Sequence, residues 1–400
     1  MALTNPDELL PQTATAPRTV TVLGATGSVG CNTVDLLARN RDRFRVVALT
    51  ANSNVELLAE QARLLLPDVA VIGDPRKRDA LRDALQGTTV EVMAGEAALI
   101  EAASRPADIV VAAIVGAAGL RPTLAASRQG SIVAIANKEC LVCAGDLVMA
   151  EVERSGATLL PVDSEHNAIF QVFETANASE VERLILTASG GPFRRWSREE
   201  MAAATPAQAV AHPNWDMGRK ISVDSATLMN KGLELIEAAY LFPVPAEKIE
   251  VLVHPQSIVH SMVAYVDGSV LAQLGPPDMR TPIAYTLSWP ERMAAPTKRL
   301  DLAEIGQLSF EKPDFERFPA LSLARNALTR GNGSTAILNA ANEVAVASFL
   351  DEKIRFLDIT AVVEETLDRV AAQPIASLDD FEQLDAEARR IAQTLVKSRF

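Results

Sequence analysis

The residues best suited to chemistry lie in an acidic stretch, Pro161-Val-Asp-Ser-Glu-His-Asn167, which follows an apolar run. In an extended segment alternate side chains share a side, so Asp163 and Glu165 point at one centre while Ser164 faces away. Paired carboxylates are the hard oxygen ligands that Mg²⁺ and Mn²⁺ prefer. Polar residues before Ala168 are also typical of a helix start. The stretch therefore predicts a metal site or, alternatively, a helix cap.

Two later loops carry side chains that suit a phosphorylated ligand. An apolar run leads into Ser189-Gly-Gly191, where a hydroxyl and backbone amides suit a phosphate, although a plain glycine turn fits equally well. The segment His212-Pro-Asn-Trp-Asp-Met-Gly218 places a large ring, Trp215, in a polar loop bounded by proline and glycine. We predict that this loop is a mobile lid over the substrate; a packed tryptophan is the alternative.

The next predicted helix has polar residues suited to cap it and polar residues suited to bind a ligand. Asp224 or Ser225 is suited to cap this helix. The residues that follow recur at spacings of three and four and so share one face, namely Asn230, Lys231 and Glu234. We predict that this face carries phosphate-binding side chains beside a metal ligand.

A glycine-rich turn near the start of the chain, Gly24-Ala-Thr-Gly27-Ser-Val-Gly30, lies between a β-rich run and a helical pattern. This order is typical of a site where a pyrophosphate meets backbone N–H groups at the positive end of a helix. The spacing is GxxGxxG, which differs from the commonest fingerprint, GxGxxG. Apolar runs alternate with helical stretches after the turn, which predicts a doubly wound parallel sheet.

Two further strand ends bear on the cofactor. An NAD site places an acid after the second strand to bind the ribose hydroxyls, whereas this chain has the neutral Thr50-Ala-Asn-Ser-Asn54. That difference favours NADP. The last strand of the domain is predicted to end at Ala136-Asn-Lys-Glu139, so that Lys138 faces the nicotinamide end. A solvated surface lysine is the alternative.

Composition limits the class of protein. The chain has 400 residues, 48% apolar and 22% charged, which is an ordinary core-forming balance for roughly two or three domains. A net charge of −13 argues against nucleic-acid binding. The three cysteines, with Cys140 and Cys143 in an apolar CxxC, predict buried thiols and a reducing cytoplasm. Residues 1–17 lack a signal pattern and no apolar run is long enough for a membrane span.

The predicted fold class is α/β. A Rossmann-like doubly wound N-terminal domain precedes an α+β catalytic domain with its own sheet and a C-terminal helical bundle. His254, between two predicted strands of the catalytic domain, is predicted to be a core or sheet-edge histidine. The predicted segments are a flexible tail at 1–17, an NADP-binding domain at 18–162, a metal- and substrate-binding domain at 163–288, a linker at 289–318 and a helical domain at 319–400.

Together these motifs resemble the 1-deoxy-D-xylulose 5-phosphate reductoisomerase family of the methylerythritol phosphate route to isoprenoids. The resemblance covers nearly the whole chain after the tail, and the order of the motifs is specific. The motifs are Gly24 to Gly30, Ala136 to Glu139, Pro161 to Asn167, Thr187-Ala-Ser-Gly-Gly-Pro-Phe193, His212 to Gly218, Met229-Asn-Lys-Gly-Leu-Glu234 and His254-Pro-Gln-Ser257.

The resemblance implies a role for most of the site residues, and Trp215, Asn52 and Asn54 are added from the loop and strand-end patterns described above. Mg²⁺, Mn²⁺ or Co²⁺ would be bound by Asp163, Glu165 and Glu234. The catalytic residues would be Lys138, Glu165 and His212. The substrate would contact Lys138, Ser164, Glu165, Ser189, His212, Trp215, Ser225, Asn230, Lys231 and Glu234. NADPH would contact Thr26, Gly27, Ser28, Val29, Asn52, Asn54, Asn137, Glu139 and Gly218. In one departure, Ser53 stands where the family often has a lysine.

The resemblance also implies an activity, namely NADPH- and metal-dependent rearrangement and reduction of 1-deoxy-D-xylulose 5-phosphate to 2-C-methyl-D-erythritol 4-phosphate. The enzyme would be a cytoplasmic homodimer. Two other functions are compatible with parts of the pattern. A different NADP-dependent dehydrogenase, acting on aldehydes or semialdehydes, would not need three carboxylates. A catalytically silent NADP-sensing protein would have no use for a metal.

Overall fold

The computed structural model describes residues 16–215 and 217–399. Most of the predicted tail, residues 1–15, therefore lies outside the described part of the chain. Contacts between residues divide the chain into two compact units. The first unit contains the described residues up to 140, with 148–167 and 278–298, and the second contains 141–147, 168–277 and the described residues from 299 onward.

The first unit is built on a seven-stranded sheet. Its strands are β1 Arg18–Leu23, β2 Phe44–Ala51, β3 Val69–Ile72, β4 Glu91–Ala94, β5 Ile109–Ala112, β6 Ile132–Ile135 and β7 Thr158–Pro161. All neighbours are parallel, in the order β4-β3-β2-β1-β5-β6-β7. The predicted doubly wound sheet is confirmed. One detail was wrong, because the strand before Asn137 is not the last: β7 pairs with β6 at the sheet edge.

The helices follow the predicted alternation in the first half of the chain. They are α1 Ser28–Arg39, α2 Val55–Leu65, α3 Arg78–Ala84, α4 Glu96–Ser104, α5 Leu120–Ser127, α6 Glu139–Ser155, α7 Ser164–Val172, α8 Arg198–Ala202, α9 Pro206–Val210, α10 Arg219–Thr227, α11 Met229–Leu241, α12 Arg280–Ser288, α13 Leu302–Ile305, α14 Ala320–Arg330, α15 Ser334–Leu350, α16 Asp358–Arg369 and α17 Leu378–Arg399. Short 3₁₀ helices lie at Pro75–Lys77, Ala117–Gly119, Thr175–Glu180 and Ala246–Lys248.

Helix α12 was not predicted, because prolines punctuate its surroundings. Pro282 lies in the first turn of α12, where a missing N–H has no intrahelical partner to lose. Ile283, Ala284 and Leu287 are buried in the apolar core of the first unit. The contacts thus group 278–298 with the first unit, although these residues fall in the predicted catalytic domain and linker. The domain boundaries given from the sequence stay predictions.

The second unit has a smaller sheet of four strands, β8 Val181–Ala188, β9 Ile249–Val253, β10 Val259–Tyr265 and β11 Val270–Leu274. Their order is β11-β10-β8-β9, with β10 antiparallel to both of its neighbours and β8 parallel to β9. Strand β11 was not predicted; it lies at the sheet edge and is largely exposed. Helices α14 to α17 confirm the helical character predicted from residue 319 onward.

Three smaller predictions concern single residues and membrane spans. His254 is fully buried, and its Nε2 accepts the N–H groups of Ile258 and Val259, both at 3.2 Å, which confirms a core histidine. Cys140 and Cys143 are buried thiols, as predicted. Among the described residues, no helix has the length and apolar character to cross a membrane.

Candidate active site

The turn after β1 is shaped for close approach of an anion. A Cβ on Gly30 would lie 2.2 Å from the carbonyl oxygen of Gly24, so the turn and α1 fit together only because Gly30 has no side chain. Helix α1 begins after Gly27, which offers no side-chain cap. The first N–H groups of α1, at Ser28 and Val29, are therefore available to an external acceptor. This geometry fits a pyrophosphate.

The end of β2 lies beside this turn. The Thr50 hydroxyl accepts a 2.9 Å hydrogen bond from the N–H of Gly24. Asn52 and Asn54 are exposed. The Asn54 side chain accepts from the N–H of Leu57 at 3.1 Å and so caps α2, which occupies its oxygen and leaves its amide group as a donor. Residues 52–54, directly after β2, include no acid, which fits a ligand carrying a phosphate here.

A buried lysine follows β6. Asn137 donates to the carbonyl oxygens of Ile114 and Gly116, the latter at 2.9 Å, which fixes the strand end. Lys138 is 6% exposed, and its Nζ lies 2.7 Å from Oδ2 of Asp163. The solvated-lysine alternative is therefore wrong. Glu139 is also buried, in the first turn of α6.

The acidic pair lies directly after β7, at the carboxyl edge of the parallel sheet. Oxygens of Asp163 and Glu165 lie within 4.8 Å of each other. The segment is not extended, because α7 begins at Ser164 and the Glu165 N–H donates to Oδ1 of Asp163 at 3.3 Å. Nor does Ser164 face away, since its hydroxyl donates to Oε2 of Glu165 at 2.5 Å. The metal-site and helix-start interpretations are thus compatible in one geometry.

The chemistry of this pair fits a hard divalent cation. Two carboxylates offer oxygen ligands, and the neighbouring Lys138 orients Asp163. His166 is a further neighbour that was missed from the sequence: it is fully buried, with Nδ1 3.7 Å from Oδ1 of Asp163. Its place on the first turn of α7, three residues after Asp163, was the available signal.

In the second unit, the Ser-Gly-Gly loop lies on the backbone of α10. Gly191 has φ +67°, and a Cβ there would lie 2.6 Å from the carbonyl oxygen of Ser225. The loop that carries Ser189 and the helix that carries Ser225 therefore approach each other closely. The predicted capping role of Asp224 or Ser225 is wrong, because both lie inside α10. The residue that precedes α11 is Leu228, with φ +61°.

His212 belongs to the same cluster, and its proton can be located from its neighbours. Nδ1 accepts the N–H groups of Asn214 and Trp215 at 3.1 and 3.0 Å, so the hydrogen is on Nε2, which donates to the Ser189 hydroxyl at 2.9 Å. Gly191 N–H also donates to this hydroxyl, at 3.1 Å. Ser189 can then donate its own proton to an anion. Burial lowers the pKa of His212 to about 4, so the ring is neutral at pH 7.

Hydrogen bonds from Asn214 fix the first half of the loop at 212–218. The Asn214 amide donates to the Pro255 carbonyl at 2.6 Å and to the Ser257 hydroxyl at 3.2 Å. Trp215 is half-buried, with its ring centroid 6.2 Å from that of His260. Asp216 lies outside the described residues, and Gly218 precedes α10. The mobile lid stays a prediction.

The polar face predicted on the next helix is present in α11. The Asn230 amide donates to Oε1 of Glu234 at 2.5 Å, and Lys231 Nζ contacts Oε2 of the same carboxylate. Lys231 is 3% exposed and Glu234 1%, so both charges are buried close to each other. Buried charges of this kind are retained where they are paired or bind a ligand.

A residue of the C-terminal helices supports α10 and was missed from the sequence. Asp224 is 1% exposed and accepts from the Asn342 amide at 2.8 Å, while Lys220 Nζ lies 2.8 Å from its other oxygen. Asn342 therefore ties α15 to the helix that carries Ser225. An asparagine inside the apolar sequence of α15 was the only signal.

Comparisons with known proteins match the chain along most of its length. Models described as 1-deoxy-D-xylulose 5-phosphate reductoisomerase match residues 20–145, and its C-terminal domain models match 159–242 and 274–391. A Rhodospirillum centenum protein of this name is 64% identical over 95% of this chain and 94% of its own length. The chain belongs to the 1-deoxy-D-xylulose 5-phosphate reductoisomerase family. The family resemblance noted in the motifs is confirmed.

Solved structures agree with this membership. The family enzyme from Zymomonas mobilis, in complex with NADPH, is similar with a TM-score of 0.91 and 56% identity, over 96% of this chain and all of that one. A second reductoisomerase, in complex with NADPH, fosmidomycin and magnesium, gives a TM-score of 0.90 at 43% identity, over 95% of this chain and 98% of that one. The predicted fold class is therefore confirmed.

Proposed function

We propose that this chain catalyses the NADPH- and divalent-metal-dependent conversion of 1-deoxy-D-xylulose 5-phosphate to 2-C-methyl-D-erythritol 4-phosphate, a step of isoprenoid precursor biosynthesis. The observation that carries the proposal is the acidic pair Asp163 and Glu165 after β7, with Lys138 bonded to Asp163. Membership of the family supports the reaction. The NADPH and magnesium complexes of relatives support the two cofactors.

Metal binding is assigned to three carboxylates. They are Asp163, Glu165 and Glu234. A bound Mg²⁺, Mn²⁺ or Co²⁺ supplies Lewis-acid stabilisation of the negative charge that develops on the substrate oxygens during the carbon shift. Lys138 orients Asp163, and Glu165 is the carboxylate suited to relay protons.

The substrate phosphate is assigned to the cluster in the second unit. Ser189 donates its hydroxyl proton because His212 and Gly191 already donate to its oxygen. Ser225, Asn230 and Lys231 complete the donor set, with Lys231 as the cation. Ser164 contacts the substrate body. Trp215 covers the carbon chain, because water must be excluded while charge develops.

NADPH supplies the hydride that reduces the rearranged intermediate. Its pyrophosphate is assigned to the N-terminus of α1, where no side chain caps the helix. The remaining contacts are assigned to the ends of β2 and β6 and to the start of α10. These residues are Thr26, Gly27, Ser28, Val29, Asn52, Asn54, Asn137, Glu139 and Gly218.

We assign the active form as a homodimer in the cytoplasm. Strand β11 is the edge of the smaller sheet and exposes Val270, Leu271 and Leu274 by 50%, 39% and 36%. An exposed apolar edge strand is prone to pair with another strand, and a second copy offers the same edge. A content of only three cysteines supports a reducing compartment.

One assay tests the reaction. NADPH consumption is followed with 1-deoxy-D-xylulose 5-phosphate, first after EDTA treatment and then with added Mg²⁺ or Mn²⁺. We expect turnover only with metal, and the reduced product as 2-C-methyl-D-erythritol 4-phosphate by mass spectrometry. Turnover that persists in EDTA supports an ordinary NADP-dependent dehydrogenase. NADPH binding without turnover under all these conditions supports an NADP-sensing protein.

A further inference from the structure

A cationic side chain from the loop after β3 lies on the segment that follows β2. Lys77 ends the short helix Pro75–Lys77, and its Nζ donates to the carbonyl oxygen of Ser53 at 2.8 Å. Ser53 is neutral, and neither Asn52 nor Asn54 beside it carries a charge. Lys77 therefore brings a positive charge to a segment that has no cation of its own.

The two loops are joined by their backbones as well. Gly73 N–H donates to the carbonyl oxygen of Ala51 at 2.7 Å, and Asp74 N–H donates to that of Asn52 at 2.8 Å. A Cβ on Gly73 would lie 3.0 Å from Oδ1 of Asn52, so a glycine here permits the close approach. The position of Lys77 beside the β2 end is thus set by paired backbone, and not only by a flexible side chain.

The charge of Lys77 is better placed for a ligand than that of its neighbour. Arg76 donates two hydrogen bonds to the carboxylate of Asp74, at 2.9 and 3.0 Å, so the charge of Arg76 is paired with that of Asp74. Lys77 bonds a neutral carbonyl, and no ion pair of Lys77 is found among the described residues. A lysine stem is long and flexible, so its ammonium can leave a carbonyl for a phosphate oxygen nearby.

We propose that Lys77 binds the 2′-phosphate of NADPH and sets the preference for NADPH over NADH. The inference rests on the proposed function, in which the adenosine ribose lies at the end of β2. A 2′-phosphate brings negative charge to a segment, Asn52-Ser-Asn54, that has donors but no cation. Lys77 supplies the charge-assisted hydrogen bond that these neutral side chains lack.

Direct binding of the two nucleotides to the full-length protein tests this assignment. Lys77→Ala is expected to weaken NADPH binding about tenfold while NADH binding changes less than about twofold, since only NADPH carries the phosphate. Arg78→Ala is the matched control, because it removes the same charge from the next residue, and it should leave the ratio of the two dissociation constants unchanged. Lys77→Ala should weaken binding of adenosine 2′-monophosphate by about the same factor as NADPH, and it should change binding of adenosine as little as that of NADH.

A rescue variant separates charge from structure. Ser53→Lys in the Lys77→Ala background returns a cation to the same place from the other loop, and should restore most of the preference for NADPH. Equal weakening of both nucleotides by Lys77→Ala, an unchanged ratio, or no rescue by Ser53→Lys overturns the proposal. These measurements need no sugar phosphate, so loss of the proposed reaction and loss of this inference are distinguishable.

Discussion

Glu234 is a buried carboxylate with two polar neighbours on its own helix, Asn230 and Lys231. If it binds the metal, Glu234→Gln removes a charged ligand with little change of shape. We expect kcat to fall by about two orders of magnitude or more, at about 1.4 kcal/mol per tenfold. The dissociation constant of NADPH should change little, because the cofactor is assigned mainly to the first unit. Steady-state kinetics and NADPH fluorescence titration measure the two quantities.

The control for Glu234 is Glu182→Gln, which removes an exposed carboxylate from β8. This variant should keep both kcat and NADPH affinity. If Glu234→Gln lowers NADPH affinity as much as turnover, the residue is structural and only holds Lys231 and Asn230 in place.

His212 makes a prediction about pH. Burial lowers its pKa to about 4 from an ordinary 6.5. Between these two pH values the unfolded chain binds a proton on His212 and the folded chain does not. The stabilisation from the neutral ring is present above pH 6.5 and is lost as the pH falls toward 4. His212→Asn should therefore make the thermal unfolding midpoint less sensitive to a change from about pH 7.5 to about pH 5. Equal sensitivity in both proteins would show that His212 takes up its proton at its ordinary pKa.

At the scale of elements, the contact between the Ser189 loop and α10 depends on the absence of a side chain. Gly191→Ala places a Cβ 2.6 Å from the Ser225 carbonyl oxygen, so loop and helix must separate. We expect KM for the sugar phosphate to rise by about tenfold or more, while KM for NADPH is unchanged. Inorganic phosphate should lose potency as a competitor by a similar factor.

Gly268→Ala is the matched control for backbone strain. Gly268 has φ +88°, but a Cβ there would meet nothing within 4 Å. The variant should be less stable and still keep its KM for the sugar phosphate. If Gly191→Ala and Gly268→Ala behave alike, strain alone explains both, and the loop contact has no part in phosphate binding.

At the scale of the whole molecule, β11 predicts how two copies associate. Leu271→Lys places a charge on the exposed edge strand, and in a two-fold pairing each copy would present that charge to the other. We expect light scattering to show the mass of two chains for the native protein and of one chain for this variant. Leu64→Lys changes a leucine of similar exposure on α2 and should leave the dimer intact.

The contrary outcome for β11 is equally clear. If the native protein has the mass of one chain, the homodimer is wrong. If Leu271→Lys keeps the mass of two chains, association uses another surface.

Local pattern was sufficient for the parallel sheet and for the helix with the polar face. Strands such as β3 and β5 are fully buried, so nearly every residue in them is apolar, and short apolar runs between helical stretches indicate such strands without knowledge of their partners. The spacing of Asn230, Lys231 and Glu234 was also readable, because a helix repeats every 3.6 residues whatever surrounds it. Strand β11 was not readable, since an exposed edge strand has no buried face to impose a pattern.

The sequence by itself was sufficient to predict candidate residues for the chemistry, because residue types and spacings near strand ends are properties of the chain alone. Tertiary structure alone decided how they meet. Nothing near Ser53 in sequence predicts that Lys77 reaches it, or that Asn342 bonds Asp224, because both contacts join segments whose approach depends on packing elsewhere. The lowered pKa of His212 was also decided by tertiary structure, because its cause is burial of the ring, whereas the N–H groups that its Nδ1 accepts come from Asn214 and Trp215 in the same loop.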